Sequence, residues 1–252
     1  MRQRWFSGPE ARFAQDMQKR LLLHALAAWP RRGTSLVEID CGRGNFLPLF
    51  WQCGFDLTAT EHEAEARATA QARAPKGVEV VAAATDHLPF ADRHFDWAVL
   101  HLEKPGPDIM PTLQEAHRVA ARGLAVTFWN RASLPALLRC LSLRTMPWPA
   151  RPMSWWYVWQ RLQRLEAFAH SIHATLTGPL GSWNRQCPLA ACNGWLARLP
   201  LGAWCVIRLD LAPLPGRRGL SLRLRQEALR KPEPVMEFGN TPDTVNPRRS
   251  SL

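Results

Sequence analysis

Tyrosine and lysine are nearly missing from these 252 residues. One tyrosine stands against twelve tryptophans, and of thirty-two basic side chains only Lys19, Lys76, Lys104 and Lys231 are lysines, the rest arginine. That skew, with its many alanines and prolines, matches GC-rich coding and weakens the meaning of a net charge of +11. No basic stripe interleaved with aromatics appears before the C-terminal stretch, so nucleic acid is kept only as a minor alternative partner. A long uncharged apolar run is missing too. The most apolar region, 167–183, is broken by His170, His173, Gly178, Pro179 and Gly181, which argues against a membrane span. Arg2 and Arg4 lead into no continuous apolar stretch before Glu10, so no secretory leader and a cytoplasmic location are expected. The six cysteines lack zinc spacing: Cys187 and Cys192 are separated by four residues and have no second Cys/His pair. Cys41 falls in a glycine turn, and Cys53, Cys140 and Cys205 fall in apolar patterns. Reduced, buried thiols are expected, and no metal.

What is present is a strand, a turn and a helix. Leu36-Val37-Glu38-Ile39 leads into Asp40-Cys41-Gly42-Arg43-Gly44-Asn45, and apolar residues at helical spacing begin at Phe46. Glycines at such a turn let backbone N–H groups approach a ligand. Glu61 ends the next apolar strand, where a carboxylate can accept hydrogen bonds from ribose hydroxyls. A nucleoside cofactor follows. The dinucleotide fingerprint asks for a third glycine after Gly42-x-Gly44-x-x, and Leu47 stands there, which disfavours a nicotinamide oxidoreductase.

Beyond an N-terminal helix over 10–28, strands and helices alternate. Strands are expected at 35–39, 57–60, 78–82, 95–100 and 124–129, with helices at 46–53, 63–73 and 110–121. Continuous apolar strands with helical crossovers make a parallel sheet covered on both faces, and ligands then sit beyond the strands' carboxyl ends. That rule gathers Asp40–Gly44, Glu61, His62, Asp86–Leu88, His101 and Asn130 on one rim. The segment 144–165 holds three prolines, four tryptophans and the lone tyrosine. Trp155, Val158, Trp159 and Leu162 share a core-facing stripe, which leaves Trp156 and Tyr157 to face a cleft. Residues 213–252 carry eight basic and four acidic side chains among prolines, read as a disordered tail with one short helix at most, over 220–230.

The turn resembles motif I of the class I S-adenosylmethionine-dependent methyltransferases. Glu38 fills the acidic position, Gly42 and Gly44 the second and third glycines, and Asp40 stands where the first glycine belongs. Leu88-Pro89-Phe90-Ala91-Asp92-Arg93-His94-Phe95-Asp96 is similar to the family's "LPF-x-D-x-x-FD" segment. Leu102-Glu103, Glu115-x-x-Arg118-Val119 and Trp5-Phe6-x-x-Pro9 are similar to positions of its type 11 subgroup. The resemblance implies a Rossmann-like α/β fold. Its sheet has seven strands, mostly parallel, with strands six at 171–177 and seven at 203–211, the seventh antiparallel between five and six. It also implies a domain over 1–212 with the tryptophan-rich insertion at 144–165.

Under that resemblance S-adenosylmethionine is the cofactor, with Glu38, Asp40, Gly42, Gly44, Glu61, His62, Asp86, His87 and Leu88 around it. Asp40 either pairs with the cofactor's ammonium or crowds it. The family's adenine-binding aspartate is replaced by Ala84, a task left to Asp86 or to the backbone near His87 and Leu88. His101 is the candidate base, or else a histidine hydrogen-bonded at a strand end. Phe6, Asn130 and Trp156 are candidate contacts to an unidentified small-molecule acceptor. The competing class is a binding protein that kept the fold while Asp40 and Ala84 eroded the cofactor site.

Overall fold

A computed structural model describes residues 8–103, 106–142, 151–167, 169–194, 196–197 and 200–213. Phe6, Cys140's side chain, the 220–230 helix and the tail therefore lie outside the described residues. Helix α1 (Pro9–Ala25) precedes an alternation of β1 (Ser35–Ile39), α2 (Leu47–Gln52), β2 (Asp56–Thr60), α3 (Ala64–Arg73), β3 (Glu79–Val81), β4 (Phe95–Leu102), α4 (Met110–Val119) and β5 (Ala120–Trp129). Then come α5 (Leu134–Ser142), α6 (Trp155–Leu162), β6 (Ala169–Thr175), β7 (Leu196–Ala197) and β8 (Trp204–Asp210).

The sheet order is β3-β2-β1-β4-β5-β8-β6-β7. The first five strands are parallel, and β8 runs antiparallel between β5 and β6, as expected for strand seven. An eighth strand was not expected. Two residues, Leu196 and Ala197, pair antiparallel with His173 and Ala174 at the sheet edge. Such a short pairing leaves no periodicity in the sequence.

Both faces of the sheet are covered, because successive side chains of a strand point to opposite sides. On β1, Leu36 enters one apolar cluster with α1 and α2, while Val37 and Ile39 enter the other with α4 and α6. All three are fully buried, each worth about 1.5–3 kcal/mol. Registers Ile39↔Thr60 and Ile39↔Leu100 end β1, β2 and β4 on one edge. That edge carries the site.

Helix α6 shows the expected stripe. Val158 and Leu162 are buried and Trp155 and Trp159 pack against the core, and Trp156, outside the stripe, is 49% exposed. Cys41 and Cys205 are buried as expected, whereas Cys192 is exposed and Cys187 half-buried, because both lie around a short 3₁₀ turn at the surface. A buried polar group was also not foreseen. Arg208 on β8 donates to Ala25 O at the end of α1 and pairs with Asp210 at 3.1 Å; Asp210 also accepts from Trp29 Nε1 at 3.0 Å. Ala25 and Trp29 lie about 180 residues from Arg208 and Asp210, so no local spacing could join them.

His173 on β6 sits edge-on to His24 of α1, with ring centroids 5.2 Å apart. Burial, then His24 and Arg208, push its imidazole down to about 4. The folded protein therefore favours the neutral ring, and stability from this group is lost as pH falls from about 6.5 towards 4. His173→Gln is expected to flatten that limb in urea titrations at pH 7 and pH 5; an unchanged difference between the two midpoints would refute it.

Candidate functional site

Three residues of the first turn adopt left-handed backbone: Asp40 at φ 58°, Gly42 at 58° and Gly44 at 72°. Only glycine takes that region without a Cβ penalty, which explains the glycine expected where Asp40 stands. The two glycines serve different ends. A Cβ on Gly42 would meet nothing within 4 Å, so its surroundings stay open to a ligand. A Cβ on Gly44 would stand 2.8 Å from Leu47 and 3.0 Å from the Ala70 backbone, so Gly44 lets α2 and α3 close up. Close packing, rather than ligand approach, accounts for Gly44.

Glu61 binds this turn to its neighbour. One carboxylate oxygen accepts the Gly42 N–H at 2.8 Å and the other the Glu63 N–H at 2.9 Å. The carboxylate is 3% exposed, and each oxygen keeps a second lone pair for a ligand hydroxyl.

Beneath the turn lies a buried pair. Glu38 Oε1 meets His101 Nε2 at 3.0 Å, and His101 Nδ1 meets Thr127 Oγ1 at 2.7 Å. Phe46 stacks on the imidazole at 5.1 Å. Burial raises the Glu38 carboxyl, while the Glu38 hydrogen bond and charge outweigh burial and raise His101. Both directions say that the pair keeps a proton between them. With both ring nitrogens engaged, His101 holds Glu38 rather than presenting an open base. The second oxygen of Glu38 has no partner among the described residues.

The "LPF" segment is held by α4. Glu115 accepts the Leu88 N–H at 2.8 Å, and Arg118 donates to the carbonyls of Leu88 and Phe90, to Glu115 and to Asp92. The two resembling motifs are thus one clamp. Their partnership explains why they occur together.

A cavity of about 430 Å³ opens between these parts, lined by Asp40, Glu61, His62, Asp86 and His101 among the expected residues. His87, Leu88 and Asn130 do not line it. Leu88 is buried in the core, and Asn130 spends its amide on the carbonyls of Pro200 and Gly202 and on the Ala132 N–H. Asn130 therefore anchors the chain after β5 instead of facing an acceptor. The sequence reading missed Glu63 and Asp108, two further carboxylates in the wall. Only the cavity's closure by the stretch after β4 reveals them. In total five carboxylates and, among the described residues, no lysine or arginine line it. Burial, then Glu61 and Glu103, push the Asp40 carboxyl up to about 7.

A second cavity of about 480 Å³ shares Gly106, Pro107 and Ile109 with the first and reaches Trp156 and Tyr157. Its far wall is residues 151–160 of the tryptophan-rich segment. There Met153 pairs with Asn130, and the Arg151 N–H reaches the Glu103 carbonyl at 3.2 Å.

Comparison with known proteins agrees with this geometry. Residues 37–127 match the family described as methyltransferase domain. A Thermotoga maritima structure described as a SAM-dependent methyltransferase, possible histamine N-methyltransferase, superposes with TM-score 0.62 at 20% identity, covering 83% of this chain and 94% of that one. Magnesium protoporphyrin IX methyltransferase from Synechocystis, solved with bound SAH, gives 0.58 at 10% identity, covering 84% and 93%. An Aquifex aeolicus SAM-dependent methyltransferase gives 0.55 at 16% identity, covering 79% and 92%. No curated protein matches the sequence. Among the described residues no helix is long and apolar enough to cross a membrane.

Proposed function

We propose that this chain, whose residues 37–127 match the methyltransferase domain family and whose fold is that of solved methyltransferases, uses S-adenosylmethionine to transfer a methyl group in line to a small-molecule acceptor. One observation carries the reading: the cavity beside the left-handed turn has five carboxylates in its wall and, among the described residues, no lysine or arginine, in a protein of net charge +11. S-adenosylmethionine bears two cationic groups and one carboxylate, so this wall suits it. The open space at Gly42 supplies the cradle.

Glu61 receives the ribose hydroxyls on its remaining lone pairs, with His62 as the adjoining wall. Asp40 receives the ammonium, and Asp86 in the turn after Ala84 takes the adenine side. When bound, the cofactor supplies a methyl group on a sulfonium, a leaving group that needs no protonation. The protein's work is positioning and exclusion of water. His101 fixes Glu38 and thereby the floor of the turn. The acceptor enters from the second cavity, which joins the first along 106–109.

Calorimetry with S-adenosylmethionine and S-adenosylhomocysteine tests the reading. Binding of either is expected. A folded protein that binds neither at millimolar ligand would sink the enzyme reading and leave the binding-protein class, which Ala84 and the side chain of Asp40 at a glycine position favour.

Asp40→Gly separates backbone strain from ligand binding. Removing a Cβ from left-handed backbone is worth about 1 kcal/mol, or about 2–4 °C in Tm for a chain of this size. The same change is expected to weaken S-adenosylmethionine binding and to abolish a rise in affinity as pH passes about 7, where Asp40 ionises. Tighter binding by the variant would mean that Asp40 crowds the pocket.

A further inference from the structure

The second cavity has the opposite sign to the first. Arg131 and Arg151 line it and, among the described residues, no carboxylate does. Neither guanidinium has an ion-pair or hydrogen-bond partner among the described residues. Their starting points are nevertheless fixed. The Arg131 N–H donates to Met153 O at 2.9 Å, the Arg151 N–H to Glu103 O at 3.2 Å, and Asn130 bridges to Met153. Two arginines therefore leave the backbone where the insertion crosses the ends of β4 and β5.

Flat apolar surface stands beside them. Trp156 is half-exposed, and Tyr157 offers a ring whose π-face already holds Arg161 at 5.1 Å. Met153 is buried at the base. A volume of about 480 Å³ suits a molecule of one or two rings.

We propose that this cavity binds an aromatic carboxylate, with Arg131 and Arg151 on the carboxylate and Trp156 and Tyr157 on the ring. Guanidinium forks match a carboxylate's two oxygens, and they stack on planar groups as well. That this anion is the methyl acceptor rests on the methyltransferase reading; that the cavity takes an anion rests on the cavity alone. The opposed charges also sort the ligands, since the carboxylate wall of the first cavity repels an acid and the arginines repel a cationic cofactor. The acceptor's reacting atom then faces the shared wall at Gly106, Pro107 and Ile109.

The probe is 2-naphthoate, with neutral 2-naphthamide as its match in shape, titrated calorimetrically into the full chain with and without S-adenosylhomocysteine. Naphthoate is expected to bind at least tenfold more tightly than naphthamide. Arg131→Gln and Arg151→Gln are each expected to lose about tenfold for naphthoate. Neither should alter S-adenosylhomocysteine affinity, and Arg→Lys at either position should restore part of the loss. Equal binding of acid and amide, or arginine variants that bind naphthoate like the parent, would overturn the proposal. Naphthoate binding that depends on the arginines, in a protein that ignores S-adenosylhomocysteine, would uphold the anion site and overturn its role as acceptor site.

Discussion

Replacing His101 with alanine is expected to remove about 3–5 kcal/mol of folding stability, because it strands a fully buried carboxyl. Glu38 accepts its one side-chain hydrogen bond from His101, and its other oxygen already lacks a partner among the described residues. The substitution also takes away the partner of Thr127 and the ring that Phe46 stacks on. Urea denaturation measures the loss. A double replacement, Glu38→Leu with His101→Leu, should recover a large part of it, since no charge is then left buried. A double variant as weak as the sum of the singles would show that the pair contributes only packing. The pH dependence has a definite sign. The folded pair keeps its proton above the range in which a free imidazole loses one, so its contribution is complete in mild acid and fades as pH rises.

Glu61→Ala is expected to weaken S-adenosylhomocysteine binding about ten- to hundredfold, the worth of hydrogen bonds to a charged acceptor. From sequence alone this residue reads as a ligand contact whose loss costs little stability. The structure changes that expectation. Glu61 also receives the N–H groups of Gly42 and Glu63, so alanine should cost about 2 kcal/mol of stability as well. Glu61→Gln keeps acceptor capacity for one amide and is expected to fall between parent and alanine in both measurements. Unchanged affinity with lowered stability would reduce Glu61 to a tie between two turns.

The parts legible in the sequence are those whose cause is local. The run from Leu36 to Ile39, the glycines at 42 and 44 and the alternation through β5 each announce themselves within a few residues, and the sheet follows. Glu61 at the end of β2 was legible because a carboxylate there ends an apolar strand. Asn130 was misread for the opposite reason. Its position at the end of β5 is right, but the carbonyls of Pro200 and Gly202 that consume its amide come from seventy residues away. His101 was placed correctly at the end of β4, and the partners that engage both its nitrogens lie on β1 and β5. The acidity of the cavity was hidden because Glu63 and Asp108 lie in separate loops that carry no motif.

The place of β8 in the sheet bears on how the chain comes to be made. Residues 204–210 form the last described strand, yet they fill the gap between β5 and β6 rather than an edge. During synthesis, β1 to β5 can assemble with their helices while the 123–129 edge of β5 shows its N–H and C=O groups to the surroundings. β6 cannot cover it, because its partners are β8 and β7. Until residue 210 has cleared the ribosome, the half of the sheet that carries the acidic cavity exists with an unsealed seam. A ribosome stalled at residue 190 should therefore hold a nascent chain whose cleft is already shaped but whose open strand invites a chaperone.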